Sequence, residues 1–311
     1  MKRGSPTLEG FQTIFRQPWL GLAEIAWRWS FGAAVVAALA FALREYLATL
    51  PVAAGEMLLL RTGQPALMLQ AIARIFQGSA PRATAAFVVL TLSLTVGWIV
   101  LASLGRAATL KALLEHFRGS VLPVSSSQAL TSLLALNALR AATMLAATAG
   151  LLGAALLAAS ASSPADSTPG LAVLIFWMLC MLTGLACSML NWYLSLAAVF
   201  AVKDRTSTIG ALAAAIDLCR ARPGSLAAPA TWFGLAHTIV FVVASSAAAF
   251  PLGFAEALPG GMVFGGLLLV TLLYFAAVDF LYIGRLASYV FMIEQPEPLP
   301  PETSLLPEPA N

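Results

Sequence analysis

Residues 171–202, LAVLIFWMLCMLTGLACSMLNWYLSLAAVFAV, run for thirty-two positions without one charged side chain. A helix that is apolar on every face must be surrounded by hydrocarbon or by a large protein interior. About 20 such residues cross a bilayer core. Five further long apolar runs, three of them holding one to three charged side chains, occupy roughly residues 27–48, 85–105, 130–158, 226–250 and 262–284. A protein interior cannot hold them all, because only 10% of the 311 residues are charged and 60% are apolar. A soluble domain carries about 25% charged residues, so this chain could not cover its own surface in water. The sequence predicts an all-α, polytopic membrane protein with six transmembrane helices. Residues 1–26 form an N-terminal segment with an interfacial helix, residues 27–293 the six-helix domain, and residues 294–311 a tail.

Charge sets the orientation. Basic residues near the ends of cytoplasmic loops bias topology. Lys2, Arg3, Arg16, Arg28, Arg106, Lys111, Arg118, Lys203, Arg205, Arg220, Arg222 and Arg285 fall on one side of the six runs, while Arg44, Arg61, Arg74 and Arg82 fall on the other. Both termini are therefore expected in the cytoplasm, and the expected setting is a bacterial cytoplasmic membrane. Trp19, Trp27 and Trp29 beside Arg28 suit an aromatic anchor at the inner interface. Lys2 and Arg3 are not expected to open a signal peptide, since the first apolar run starts too far along and is too long, and reads better as a first transmembrane helix that stays in place. The net charge of +3 argues against nucleic acid, which needs basic residues gathered on one face. Cys180, Cys187 and Cys219 form no CxxC pair and read as small core residues.

Three short amphipathic segments lie on the basic side: Leu8–Pro18, Thr109–Ser120 and the stretch from Thr206 to Arg222. In the third, Ser207 or Thr206 can cap a helix whose Ile209, Leu212, Ile216 and Cys219 share a stripe. Pro223-Gly224 then returns the chain to the membrane. Such elbows prefer the interface plane, with Arg16, Arg118, Arg220 and Arg222 against anionic lipid heads. Phe15-Arg16, Phe117-Arg118 and Cys219-Arg220 recur at a spacing of 102 residues, which suggests three repeated helical hairpins, each with its own elbow. On the opposite side, residues 64–78 place Leu67, Leu69, Ile72, Ile75 and Phe76 largely on one face. The expectation there is a helix lying on the outer leaflet, with a re-entrant segment as the alternative. The tail "EQPEPLPPETSLLPEPAN" is acidic, proline-rich and free of Lys and Arg, so it is expected to be disordered; its PxxP match at Pro298 and Pro301 is of a kind that prolines produce by chance.

The stretch "AVFAVKDRTSTIGALAAAIDLCRARPG" resembles a pattern in YciC-like bacterial inner-membrane proteins and in the membrane domain attached to some glycerophosphodiester phosphodiesterases. Lys203-Asp204-Arg205, Ala211, Ala215, Arg220 and Arg222 match that layout of charged turn, alanine-containing amphipathic helix and basic end. The resemblance covers one elbow and the number of spans. It implies a membrane-embedded protein, and it carries over no catalytic residue, because no soluble region is long enough for the phosphodiesterase domain.

Polar groups inside a bilayer are candidate functional groups, since leaving them unpaired in hydrocarbon is costly. Five stand out: Asn137 and Arg140 in the third run, Asn191 in the fourth, His237 in the fifth and Asp279 in the sixth. At about 1.5 Å per residue, Arg140 sits roughly 15 Å and Asp279 roughly 8 Å from the cytoplasmic ends of their helices. An Arg140–Asp279 ion pair is within reach. As a functional site this cluster is a cytoplasm-facing polar pocket in which Arg140 holds an anion while Asp279 and His237 relay protons. As a structural one it is glue between helices. No HExxH, Walker sequence, partnered GxSxG or metal-ligand cluster is present, so no catalytic, cofactor or metal residues are assigned. The glycines of "LPGGMVFGG" suit close helix packing. The sequence thus points to a non-enzymatic scaffold, organiser or membrane subunit of a complex, in contact with lipid and with a membrane or cytoplasmic protein partner. The alternative is a small-solute or lipid-related transporter, and a lipid-modifying enzyme ranks third.

Overall fold

The computed structural model describes residues 5–50, 52–62, 64–120, 127–160, 169–254 and 258–294. Among them are nine helices and no strand: α1 (Pro6–Arg16), α2 (Pro18–Ala48), α3 (Ala54–Arg61), α4 (Pro65–Arg118), α5 (Ser127–Ser160), α6 (Pro169–Lys203), α7 (Thr208–Ala221), α8 (Pro223–Gly253) and α9 (Gly260–Glu294). Six of these, α2, α4, α5, α6, α8 and α9, are long and apolar enough to cross a membrane, as the apolar runs predict. The tail beyond Glu294 lies outside the described residues.

Local chemistry explains where the helices start and stop. Pro6, Pro18, Pro65, Pro169 and Pro223 each open a helix, a position where the missing N–H costs nothing and the fixed φ is already helical. Ser207 caps α7, its side chain accepting the Gly210 N–H at 3.3 Å. Gly119 ends α4 with φ +65° and donates its N–H to the Glu115 carbonyl at 2.9 Å. That left-handed cap is open to glycine at little cost.

Several boundaries differ from the sequence reading. α2 begins nine residues before Trp27. Residues 67–78 are neither a separate interfacial helix nor a re-entrant segment; they are the first turns of α4, a 54-residue helix that continues through Pro81. A proline removes one intrahelical bond without ending a helix whose neighbours hold it in place. The Thr109–Ser120 elbow is likewise the uninterrupted end of α4, whereas α1 and α7 are separate short helices. The three elbows of the 102-residue spacing are therefore not alike. Residues 54–61, between the first two apolar runs, form α3, where the Glu56 carboxylate accepts the Ala53 N–H at 2.9 Å.

The chain divides into two compact units, Ala26–Ala102 on the one hand and Met1–Ile25 with Ser103–Asn311 on the other. In the first, Ala71, Ile75 and Ser79 are buried at four-residue spacing on α4. The Tyr46 hydroxyl meets Ser79 Oγ at 2.6 Å, and Arg82 donates to the Thr49 carbonyl at 3.4 Å. Arg28 lies over the ring of Trp27 at 5.4 Å.

In the second unit α5 packs on α6, α6 on α7, and α9 on both α8 and α1. Its core gathers Leu110, Leu113 and Leu114 of α4 with Leu133, Leu136, Leu196, Val199, Leu226, Leu286, Tyr289 and Val290. At Gly284 the backbone of α9 is approached so closely that a Cβ would overlap Ile14 of α1 and sit 2.7 Å from the Phe233 ring of α8. Phe233 in turn stacks on Phe11 with ring centroids 4.3 Å apart.

Candidate functional site

Residues 103–118 of α4 organise the polar interior of this second unit. Turn by turn they meet a different neighbour. Ser103 Oγ accepts from Asn137 Nδ2 of α5 at 2.9 Å, and the Arg106 guanidinium lies 4.9 Å over the Tyr282 ring of α9. Thr109 donates to Glu24 Oε2 of α2 at 2.8 Å. His116 Nδ1 pairs with Gln17 Nε2 at 2.9 Å. At the last residue, Arg118 grips Glu294 with two bonds, Nε to Oε2 at 2.7 Å and Nη2 to Oε1 at 2.9 Å. A two-point grip of this kind is the stronger form of carboxylate recognition.

Two of the five predicted residues, Asn137 and Arg140, stand in direct contact. Arg140 donates to Asn137 Oδ1 and to Ser195 Oγ, both at 3.2 Å, and Ser195 donates to the Asn191 carbonyl at 2.7 Å. Asn191 therefore joins the network through its backbone. Asp279 is buried on α9, one turn before Tyr282. His237 stands elsewhere, half-buried on α8, with Nε2 3.3 Å from the Tyr274 hydroxyl.

The network is larger than the sequence indicated. Glu24, Ser103, Arg106, Thr109 and Ser195 are all buried. In the sequence Glu24 lies before the first apolar run, and Arg106 looks like a flanking charge that marks topology. One signal was available. Ser103-Arg106-Thr109, Asn137-Arg140 and Asp279-Tyr282 all place polar groups three residues apart, which is one helical face.

Electrostatically the interior is balanced, with Glu24 and Asp279 against Arg106 and Arg140, all four less than a tenth exposed. Arg106 differs from the other three in having two buried atoms without a hydrogen bond rather than at most one. Its Nε and Nη1 are buried without a hydrogen bond among the described residues, and the Tyr282 ring is what faces its charge. A desolvated cation–π contact recovers about 2 kcal/mol, less than a buried guanidinium loses on leaving water.

Of the arginines assigned to lipid heads, Arg118 is committed to Glu294, which Lys203 also approaches at 3.6 Å. Arg16 and Arg220 make no hydrogen bond or ion pair among the described residues. On α7, outside the spans, burial pushes the Cys219 thiol up from its ordinary range. Among the described residues no three His, Cys, Asp or Glu side chains converge as metal ligands would.

The six helices, each long and apolar enough to cross a bilayer, define a polytopic α-helical membrane protein in contact with lipid. No family model, curated protein or solved structure matches this chain.

Proposed function

We propose that this protein is a non-catalytic scaffold or membrane subunit of a complex, seated in a bacterial cytoplasmic membrane with both termini inside. The observation that carries this reading is the way polar groups are used. Asn137, Arg140, Ser103, Ser195, Thr109 and Glu24 are spent on one another, which suits helix–helix glue. In the most apolar window of each span no more than 11% of residues are buried, so long apolar faces remain for lipid and for partner helices. Kinship with YciC-like membrane proteins is part of the proposal and rests on the sequence pattern of Lys203 to Arg222. Purification in gentle detergent from a tagged strain tests the reading. A partner recovered in fixed ratio is the expected result; a monodisperse chain without one, at native expression, overturns it.

A transporter is the second reading, favoured by Arg106, whose buried Nε and Nη1 have no hydrogen bond among the described residues and whose guanidinium lies over the Tyr282 ring. It expects Arg106→Met or Asp279→Asn to stop substrate flux while the protein still inserts. If an Arg140→Met/Asp279→Leu variant and Arg106→Met both leave cells with unchanged uptake and export profiles, that reading fails.

A further inference from the structure

Between α5, α6 and α7 a groove of about 540 Å³ opens on the surface of the second unit, within the about 300–1,000 Å³ typical of ligand sites. Its walls are mainly apolar: Leu139 and Thr143 from α5, Leu190 and Tyr193 from α6, and Ile216 from α7. Thr143 contributes its methyl group, since its hydroxyl is engaged with the Leu139 carbonyl at 2.9 Å. Leu139, Leu190 and Ile216 are exposed, so the groove opens outward, where a spanning protein meets hydrocarbon. Arg220 completes the lining in the last turn of α7. It pairs with no acid among the described residues, including Asp217 one turn before it. The Tyr193 hydroxyl is also without a hydrogen-bond partner among them.

We propose that this groove is a binding site for one anionic phospholipid, with an acyl chain along α5 and α6 and the phosphate on Arg220. The layout matches that amphiphile in one respect that a partner helix does not: an apolar slot is continuous with a single uncommitted guanidinium. Arginine forks match phosphate oxygens in pairs, and a basic group at a membrane surface favours anionic over zwitterionic lipid by about fivefold. The site rests on the membrane placement of the helices and is independent of whether the protein acts as a scaffold or a transporter.

The test uses the full chain reconstituted in vesicles of phosphatidylcholine and phosphatidylglycerol, extracted gently and weighed by native mass spectrometry. The expected result is one retained phosphatidylglycerol, favoured about fivefold over phosphatidylcholine. Arg220→Gln, an exposed change, should bring the two lipids to parity. Ile216→Trp should expel the retained lipid by filling the groove. Ile209→Trp, on an exposed position of α7 outside the groove, should leave it in place. Equal retention of both lipids by the unaltered protein overturns the proposal, as does full preference in Arg220→Gln. If Ile216→Trp does not fold, the Arg220→Gln comparison decides alone. A protein partner occupying the groove would appear as no preferred lipid.

Discussion

The two halves of α9 are almost equally apolar and behave oppositely. In the first half Met262, Phe264, Leu269 and Leu273 are all more than half exposed. In the second half Ile283, Leu286, Tyr289 and Val290 are buried almost completely. Hydrophobicity cannot account for this, because lipid tails are as apolar as leucine and give one helix no reason to seek another. What differs is the presence of small and polar side chains. The second half carries Asp279, Gly284 and Ser288, which let α1 and α8 come close and supply bonding groups. The first half has Gly260, Gly261, Gly265 and Gly266; a Cβ at Gly266 would be in ordinary contact with Pro251, and at the other three it would meet nothing within 4 Å. Small residues allow close packing only where a second helix is present to use them.

That contrast can be broken most severely at Gly284. Gly284→Leu places side-chain atoms where Ile14 and Phe233 already sit. Overpacking of this kind is expected to cost about 3 kcal/mol, seen as a large drop in detergent melting temperature. A smaller loss, about 2 kcal/mol, is expected for Arg140→Met, which strips Asn137 and Ser195 of a buried donor. Reversible unfolding in mixed micelles would measure it. If Arg140→Met is as stable as the parent, the polar interior is not what holds this end together.

The clamp at the ends of α4 and α9 should matter less. Arg118 and Glu294 are partly solvated, so a double-mutant cycle with Arg118→Gln and Glu294→Gln is expected to give a coupling of about 1 kcal/mol. High salt should reduce it. Smallest of all is the effect in the first half of α9. Leu269→Ala is expected to shift stability by less than about 0.5 kcal/mol. A loss of several times that size in lipid, absent in detergent, would mean that a partner helix covers the position.

Much of the fold was legible in the chain. The six apolar runs became six long helices because an unbroken backbone in hydrocarbon has to satisfy its own N–H and C=O groups. The Ser207 cap and the Pro223 restart were equally readable, being local effects. Other features were not. Polarity changes at Gly78–Arg82 and at Gly105–Lys111, which suggests an interfacial segment, a span and an elbow, yet the α4 helix continues through both. Polarity marks the solvent a helix crosses; it does not mark where the helix stops.

The candidate site was legible in part for a similar reason. Asn137 and Arg140 stood out as polar residues in an apolar run, and the structure keeps them in one network with the Asn191 carbonyl. His237 stood out for the same reason and pairs with Tyr274 instead. Glu24 and Arg106 look in the sequence like ordinary flanking charges. Their burial depends on α4 passing between α2, α5 and α9, and no local pattern encodes that path.

The residue order by itself determined the solvent, the helical class and the number of long apolar helices, because each depends on the composition of one stretch at a time. Which faces are covered, which arginine is left with an aromatic ring, and which is left at the edge of a groove were decided only when distant helices met. Close packing depends on shape at single positions such as Gly284, and shape is complementary only to a particular neighbour.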